Sequence, residues 1–261
     1  MSRSLSQTVG WIAAALLTAL LTVILFLPAS WLGAALEQQS GGRFSLGDVQ
    51  GSFWRGSAFI GVAAGPTAPV TPLFAGRFSW KISPLLLLGQ VDVQLENADS
   101  LSAPLHINGN FSQWQISPAV LSLPPERLEG LGAPLNTIGP TGKLHLSWNN
   151  LSFTRSGALL SAQGQLQLEL AEMASRLSQV RPLGSYRVEV NLQGMNAEMT
   201  LLTLSGPMML AGAGAVSGGR FHFSGKAWAA AGQEDKLANL LNLLGQRRKD
   251  GNQDVIALDF K

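Results

Sequence analysis

The chain has 261 residues, of which only 13% are charged, and its formal net charge is +2. This composition indicates an ordered, sheet-rich protein, since disordered chains are rich in charge, and it gives no electrostatic reason to expect a nucleic-acid partner. The absence of cysteine excludes disulfides, cysteine metal sites and thiol catalysis.

The first predicted element is an apolar helix over residues 9–27, within a charge-free stretch between Arg3 and Glu37. A helix of that length spans about 29 Å, close to the roughly 30 Å hydrocarbon core of a bilayer. We therefore predict a transmembrane anchor at residues 9–27. A cleaved signal peptide is the alternative, because the small residues 33–35 offer a cleavage site.

The anchor divides the chain into predicted regions. Arg3 precedes the apolar run, so the positive-inside rule places residues 1–8 in the cytoplasm. Residues 28–40 follow as a juxtamembrane segment, with a short helix predicted at 30–37 as a continuation of the anchor. Residues 41–261 are predicted to form a periplasmic β-rich domain.

After the anchor, apolar side chains recur at every second position, which is the pattern of a strand with one apolar and one polar face. The clearest runs end at Leu95, Trp148, Leu170, Leu192, Phe223 and Phe260. Such alternation is typical of antiparallel sheets. The predicted fold class is mainly β: one N-terminal transmembrane helix followed by a large, curved, mostly antiparallel sheet with a few short helices.

The apolar face of this sheet must be shielded from water. The sheet could curl on itself, a helix could lie on it, or a partner or lipid could cover it, while an open edge strand would invite a neighbouring chain to add a strand.

One later segment predicts a helix at residues 234–248. Its leucines recur at helical spacing, acidic residues begin it, Arg247 and Arg248 suit its negative end, and Gly245 offers a stop. A sequence echo, Trp-x-Ile-Ser-Pro, occurs at 80–84 and 114–118. Each copy predicts a strand that runs through a Ser cap and a Pro into a short helical turn.

The sequence contains no recognisable catalytic, nucleotide-binding or metal-binding motif. His106, His145 and His222 lie far apart in alternating strand sequence, and we interpret them as ordinary sheet residues. The glycine-rich segment 212–219 precedes a strand instead of a helix, so we interpret it as a turn or bulge between strands. We predict no catalytic, cofactor-binding or metal-binding residue, and therefore no enzyme.

Several short stretches together resemble a known family. Residues 41–46 and 51–58, the segment 181–186 and the leucine-rich 240–248 are similar, in order and spacing, to the type II secretion system protein N family, also called general secretion pathway protein N. The resemblance implies a non-catalytic inner-membrane protein of a Gram-negative bacterium, an accessory component that supports export of folded proteins across the outer membrane.

The implied partners are other components of that secretion system, namely the inner-membrane platform and, as further candidates, the pseudopilus or the secretin. Residues 51–56 and 80–89 also resemble the start of AsmA-like envelope proteins, which have groove-forming sheets associated with lipid handling. The alternative function is therefore a lipid- or lipoprotein-binding envelope module with a hydrophobic groove. A periplasmic hydrolase is a third hypothesis, which no acid–base pair or nucleophile in the sequence supports.

Overall fold

The fold comes from a computed structural model, which describes residues 2–245, 247–250 and 253–260. Two helices open it, α1 (Ser2–Leu25) and α2 (Ser30–Gln39), and the chain breaks direction between them around Pro28. The anchor predicted at residues 9–27 therefore lies mostly in α1. Among the described residues, no helix combines the length and the apolar character required to cross a membrane.

The rest of the chain is dominated by strands. Their bounds are β1 (Phe44–Gly51), β2 (Arg55–Val62), β3 (Thr71–Pro72), β4 (Phe78–Ile82), β5 (Gln90–Glu96), β6 (Leu105–Asn110), β7 (Gln113–Ile116), β8 (Ala119–Leu123), β9 (Pro140–Trp148), β10 (Leu151–Ser156), β11 (Leu159–Ser175), β12 (Gly184–Gly194), β13 (Asn196–Ser205), β14 (Met208–Ser217), β15 (Arg220–Ala229), β16 (Arg247–Asp250) and β17 (Gln253–Phe260). Short helices are α3 (Leu135–Ile138), α4 (Glu234–Leu244) and the 3-10 helices Pro84–Leu88 and Pro125–Leu131.

All described strands join one sheet of 17 strands, and every pairing is antiparallel. The main path runs β1–β2–β4–β5–β6–β7–β10–β11–β12–β13–β14–β15–β17–β16. The long strand β11 forks the sheet, because its first part pairs with β10 and its later part pairs with β9, which in turn carries β8. The prediction of a large antiparallel sheet with few short helices is confirmed.

The period-two runs all fall in strands, whereas the helical predictions need correction. The helix predicted at 234–248 ends at Leu244, just before Gly245, and Arg247 and Arg248 belong to β16. The first Trp-x-Ile-Ser-Pro copy behaves as predicted: Ser83 caps the 3-10 helix that Pro84 begins. The second copy does not, because the chain after it continues as β8, whose backbone pairs with β9.

Pairing register gives the sheet two chemically distinct faces, since residues directly opposite each other lie on the same face. Along one line, Leu146, Leu168, Val188 and Leu201 are successive partners on β9, β11, β12 and β13. The neighbouring line of cross-strand partners is polar: Ser147, Gln167, Glu189 and Thr200. We call the two sides the apolar face and the polar face.

Two buried clusters cover the apolar face near its ends. At the first strands, Ala29 and Leu32 from α2 and its start pack with Ala58 and Trp80. At the last strands, Leu237, Leu240 and Leu241 of α4 pack against side chains that include Met208, Ala227 and Ile256. The helix-on-sheet cover that the apolar face requires is thus supplied at both ends by short amphipathic helices.

A third element links distant strands. The 3-10 helix Pro125–Leu131 contacts both β3 and β9, and a side-chain atom added at Gly130 would lie 3.1 Å from the Val62 side chain. Arg127 of this helix donates to the backbone oxygen of Phe74, which fixes it against the loop after β3. β3 and β9 are many strands apart along the sheet. Because one short helix contacts both, the sheet bends around its apolar face at this position.

Candidate binding surfaces

A cavity of about 710 Å³ opens on the polar face, across the neighbouring strands β8, β9, β11, β12 and β13. Amide, hydroxyl and carboxylate side chains provide much of its lining: Ser147, Gln165, Gln167, Glu189, Asn191, Glu198 and Thr200. Register explains their convergence, because Gln167 is opposite Ser147 on one side and Glu189 on the other. We call this cavity the polar trough.

A row of polar side chains crosses the same face beside the trough. Ser122, His145, Glu169 and Arg187 are successive cross-strand partners on β8, β9, β11 and β12. A hydrogen bond of 3.0 Å joins the Ser122 hydroxyl to His145 Nδ1, and Arg187 Nη2 donates to Glu169 Oε1 at 2.8 Å. Gln167 Nε2 also donates to Glu169 Oε1, at 2.9 Å.

A serine, a histidine and a carboxylate in one row invite comparison with hydrolases, in which the carboxylate orients the histidine. In the described part of the chain, the hydrogen bonds of the Glu169 carboxylate go to Arg187 and Gln167 and none joins it to His145. The row therefore stabilises pairing between strands, as opposite charges on facing strands do. No local pattern in the sequence indicates this row, because its members are far apart in the chain and only register brings them together.

The remaining histidines are separated by the fold. His106 lies exposed on β6 and His222 lies exposed on β15. Within the described residues, no group of three or more histidine, aspartate or glutamate side chains could hold a metal ion. The glycine-rich segment 212–219 forms the end of β14 and a turn at Gly218 and Gly219, whose φ angles of 58° and 76° favour glycine.

The middle of the apolar face differs from its ends. Here Leu146, Leu168, Val188 and Leu201 are only half-buried, whereas the side chains under α2 and α4 are buried. These central side chains form a stripe that runs across β9, β11, β12 and β13. The polar trough lies on the opposite side of the same strands.

The two ends of the main path of strands, β1 and β16, are poorly suited to accept another strand. On β1 the pairing shifts between Gly47 and Gln50, and Asp48 takes a φ of 47° and forms an ion pair with Arg77. At the other edge, β16 is four residues long and begins with the exposed residues Arg247 and Arg248. Bulges, short strands and charge are the devices that discourage strand addition.

The segment 181–186 enters the core through Tyr186, whose hydroxyl donates to the backbone oxygen of Met208 at 3.0 Å. Tyr186 is 4% exposed, and burial raises the pKa of its phenol above the usual value. This residue joins β12 to the start of β14, so its part in the segment is structural.

Comparison with known families gives one match and two negative results. The family described as type II secretion system (T2SS), protein N, matches residues 42–255. No curated protein and no solved structure matched the chain. The matched residues run from the start of β1 through α4 into β17, so they include almost the whole sheet with both of its faces. As its residue patterns predicted, the chain belongs to the type II secretion system protein N family.

Proposed function

We propose that the chain is a non-catalytic accessory or structural component of the type II secretion system, attached to the inner membrane, that supports export of folded proteins across the outer membrane. The family match over residues 42–255 carries this proposal, because it makes the chain a component of that system. The cross-strand bonding of Ser122, His145, Glu169 and Arg187 supports a structural use of the residues that most resemble a catalytic row.

Membrane attachment is assigned to residues 9–27. Over residues 9–25 of α1, large apolar side chains are exposed around the whole circumference, for example Trp11 at 76%, Leu16 at 66% and Leu21 at 50%. A helix that is apolar on every side needs an apolar environment, and a bilayer supplies one. Arg3 before the helix favours a cytoplasmic N-terminus, with residues 41–261 in the periplasm.

The attachment has a direct test. An alkaline phosphatase fused after residue 261 should be active, because the enzyme folds only outside the cytoplasm, and the full chain should stay in the membrane after alkaline carbonate washing. N-terminal sequencing of the mature protein should give a first residue within positions 1–8. A new N-terminus near residues 33–35 would instead establish a cleaved signal peptide.

The proposed partners are other type II secretion components, first the inner-membrane platform and then the pseudopilus or secretin. A photo-reactive amino acid at Thr200, which is exposed in the polar trough, should form crosslinks to such a component in living cells. Leu243, 69% exposed on α4, provides the control position outside the trough.

Secretion itself tests the function. Deleting the gene should lower exoprotein release and leave the exoproteins in the periplasm, and the full chain expressed in trans should restore release. Unchanged release, together with failure to co-purify with other components of the system, would contradict the proposal.

A second candidate function, binding of a lipid or lipoprotein, is favoured by the half-buried stripe of Leu146, Leu168, Val188 and Leu201. Apolar surface that is covered at both ends and only partly covered between them is suited to an acyl chain. Native mass spectrometry of gently extracted protein should detect bound phospholipid if this candidate is right. A mass equal to that of the polypeptide without lipid, with secretion still dependent on the gene, would contradict lipid binding and support only the structural role.

A further inference from the structure

Three leucines project from the 3-10 helix Pro84–Leu88 into solvent. Leu85 is 46% exposed, Leu87 60% and Leu88 78%. The turn that carries them is well defined, because the Ser83 hydroxyl accepts a hydrogen bond from the Leu85 amide at 3.3 Å and Gly89 ends the turn with a φ of 86°. Their exposure is therefore a property of the fold and not of a loose loop.

A fourth apolar side chain joins them from the next hairpin. Phe111 lies at the turn between β6 and β7, is 60% exposed, and packs close to Gly89, where an added Cβ would lie 3.8 Å from its ring. Pairing of Gln90 with Asn110 places both turns at the same end of the sheet. We call Leu85, Leu87, Leu88 and Phe111 the leucine knob.

The leucine knob lies at the end of the sheet where α1 joins it. Trp54 Nε1 donates to the backbone oxygen of Ile24 at 2.8 Å, and the Phe53 amide donates to that of Leu27 at 2.8 Å. A cavity of about 460 Å³ is lined both by Leu25 of α1 and by Pro84, the first residue of the leucine-bearing turn. The leucine-bearing turn and the end of α1 thus border one cavity at the same end of the sheet.

Basic side chains accompany this apolar surface. Arg55, which begins β2, and Lys81, whose side chain is 60% exposed, line the same cavity as Leu25 and Pro84, together with one acidic residue, Asp92. Lys81 makes a long 3.5 Å ion pair with Glu96, which is weak at such exposure. Apolar side chains beside basic ones match the layers of a bilayer surface, where acyl chains lie beneath anionic headgroups.

We propose that the leucine knob inserts into the membrane surface beside α1, so that the sheet is held at the bilayer by two contacts and cannot pivot freely about one helix. The proposal rests on the proposed membrane attachment of α1. A lipid surface is favoured over a protein partner because the knob lies at the end of the sheet where α1 joins it and because Arg55 and Lys81 are exposed at that end. The second contact would fix which end of the sheet faces the membrane.

The absence of cysteine makes the test direct, because any introduced cysteine is the only one in the chain. Full-length L87C, L17C and L243C would each carry an environment-sensitive dye and be reconstituted into vesicles of phosphatidylethanolamine and phosphatidylglycerol. Leu17 reports on α1. Leu243 is the matched control: it is a comparably exposed leucine, at 69% against 60% for Leu87, and it lies on α4 at the opposite end of the sheet from the knob. Acyl-chain-brominated lipids would quench dyes that enter the bilayer.

We expect the dye at L87C to be blue-shifted and quenched several-fold more than the dye at L243C, as at L17C. Quenching at L17C with L87C indistinguishable from L243C would overturn the leucine knob and leave the attachment by α1 intact. Failure at L17C would instead contradict the attachment by α1 and, with it, the arrangement of two membrane contacts. A photo-reactive group at Leu87 that crosslinks in cells to a protein and not to phospholipid would also overturn the proposal.

Discussion

Replacing Leu237 with alanine should lower the free energy of unfolding of the full chain by about 3 kcal/mol. Leu237 is 0% exposed and lies in the cluster that joins α4 to the last strands, among side chains that include Met208, Ala227 and Ile256. Burial of the three carbon atoms that the change removes is worth roughly 2 kcal/mol, at about 0.8 kcal/mol per methylene. The cavity that they leave adds about 1 kcal/mol.

The same helix offers the control. Leu243 is 69% exposed, so Leu243→Ala makes the same chemical change, with the same effect on helix propensity, at a position that buries little surface. Its cost should stay within about 0.5 kcal/mol. The difference between the two variants therefore isolates the packing of α4 on the apolar face.

Urea unfolding of each full-length variant in nanodiscs, followed by tryptophan fluorescence, measures both costs, and an unchanged slope shows that the transition is comparable. Hydrogen exchange across α4 then shows whether the helix detaches before the sheet unfolds. A cost for Leu237→Ala below about 1 kcal/mol, or equal to that of Leu243→Ala, would refute the inference that α4 covers the last strands.

Three further changes test other parts of the sheet. A methyl group at Gly56 would lie 2.7 Å from a backbone oxygen, so Gly56→Ala should cost about 2 kcal/mol in urea unfolding, whereas Gly65→Ala, with nothing within 4 Å, should be neutral. Asn97, 4% exposed, bonds three backbone groups, and Asn97→Ala should cost roughly 2 kcal/mol in the same assay. Burial raises the pKa of the sole tyrosine, Tyr186, above 10.0, so its stabilising contribution is complete below pH 10 and falls as the pH rises further. Tyr186→Phe should flatten that alkaline loss in unfolding curves, and a normal tyrosinate titration in the folded wild type would contradict the assignment.

Local pattern was sufficient to find the strands with the clearest alternation, namely β5, β9, β11, β12, β15 and β17. Alternation in β5, β11 and β12 is a property of each segment alone, because successive side chains of a strand must point to opposite faces. The apolar and polar faces follow from the same alternation once the strands pair in register. The family resemblance likewise rested on short segments whose order is visible in the chain.

Pairing between strands decided two features that local sequence pattern did not predict. The Ser-Pro signal at 117–118 predicts a helical turn as strongly as the one at 83–84, but the residues after it pair with β9 and become β8. Arg247 and Arg248 suit a helix end, yet they pair with β17 as an edge strand. In both cases pairing with another strand, β9 in the first and the adjacent hairpin strand β17 in the second, outweighs a local preference.

The candidate surfaces were hidden for the same reason. Glutamine and glutamate alternate with leucine in several strands, so nothing local distinguishes Gln167 or Glu189 from other polar positions. Only the register of five strands collects them into the polar trough. The leucine knob could have been suspected from four consecutive leucines at 85–88, but its position beside α1 depends on how β5 and β6 pair.

The middle of the sheet carries two candidate binding surfaces on the same strands. On β11 and β12, Gln167 and Glu189 line the polar trough, while Leu168 and Val188 belong to the half-buried stripe on the other side. Buried clusters stabilise the first and last strands, so these central strands depend more on their backbone ladders and on bonds such as that of Glu169 with Arg187. A partner in the trough would therefore stiffen the strands that carry the apolar stripe, since the two surfaces share one backbone.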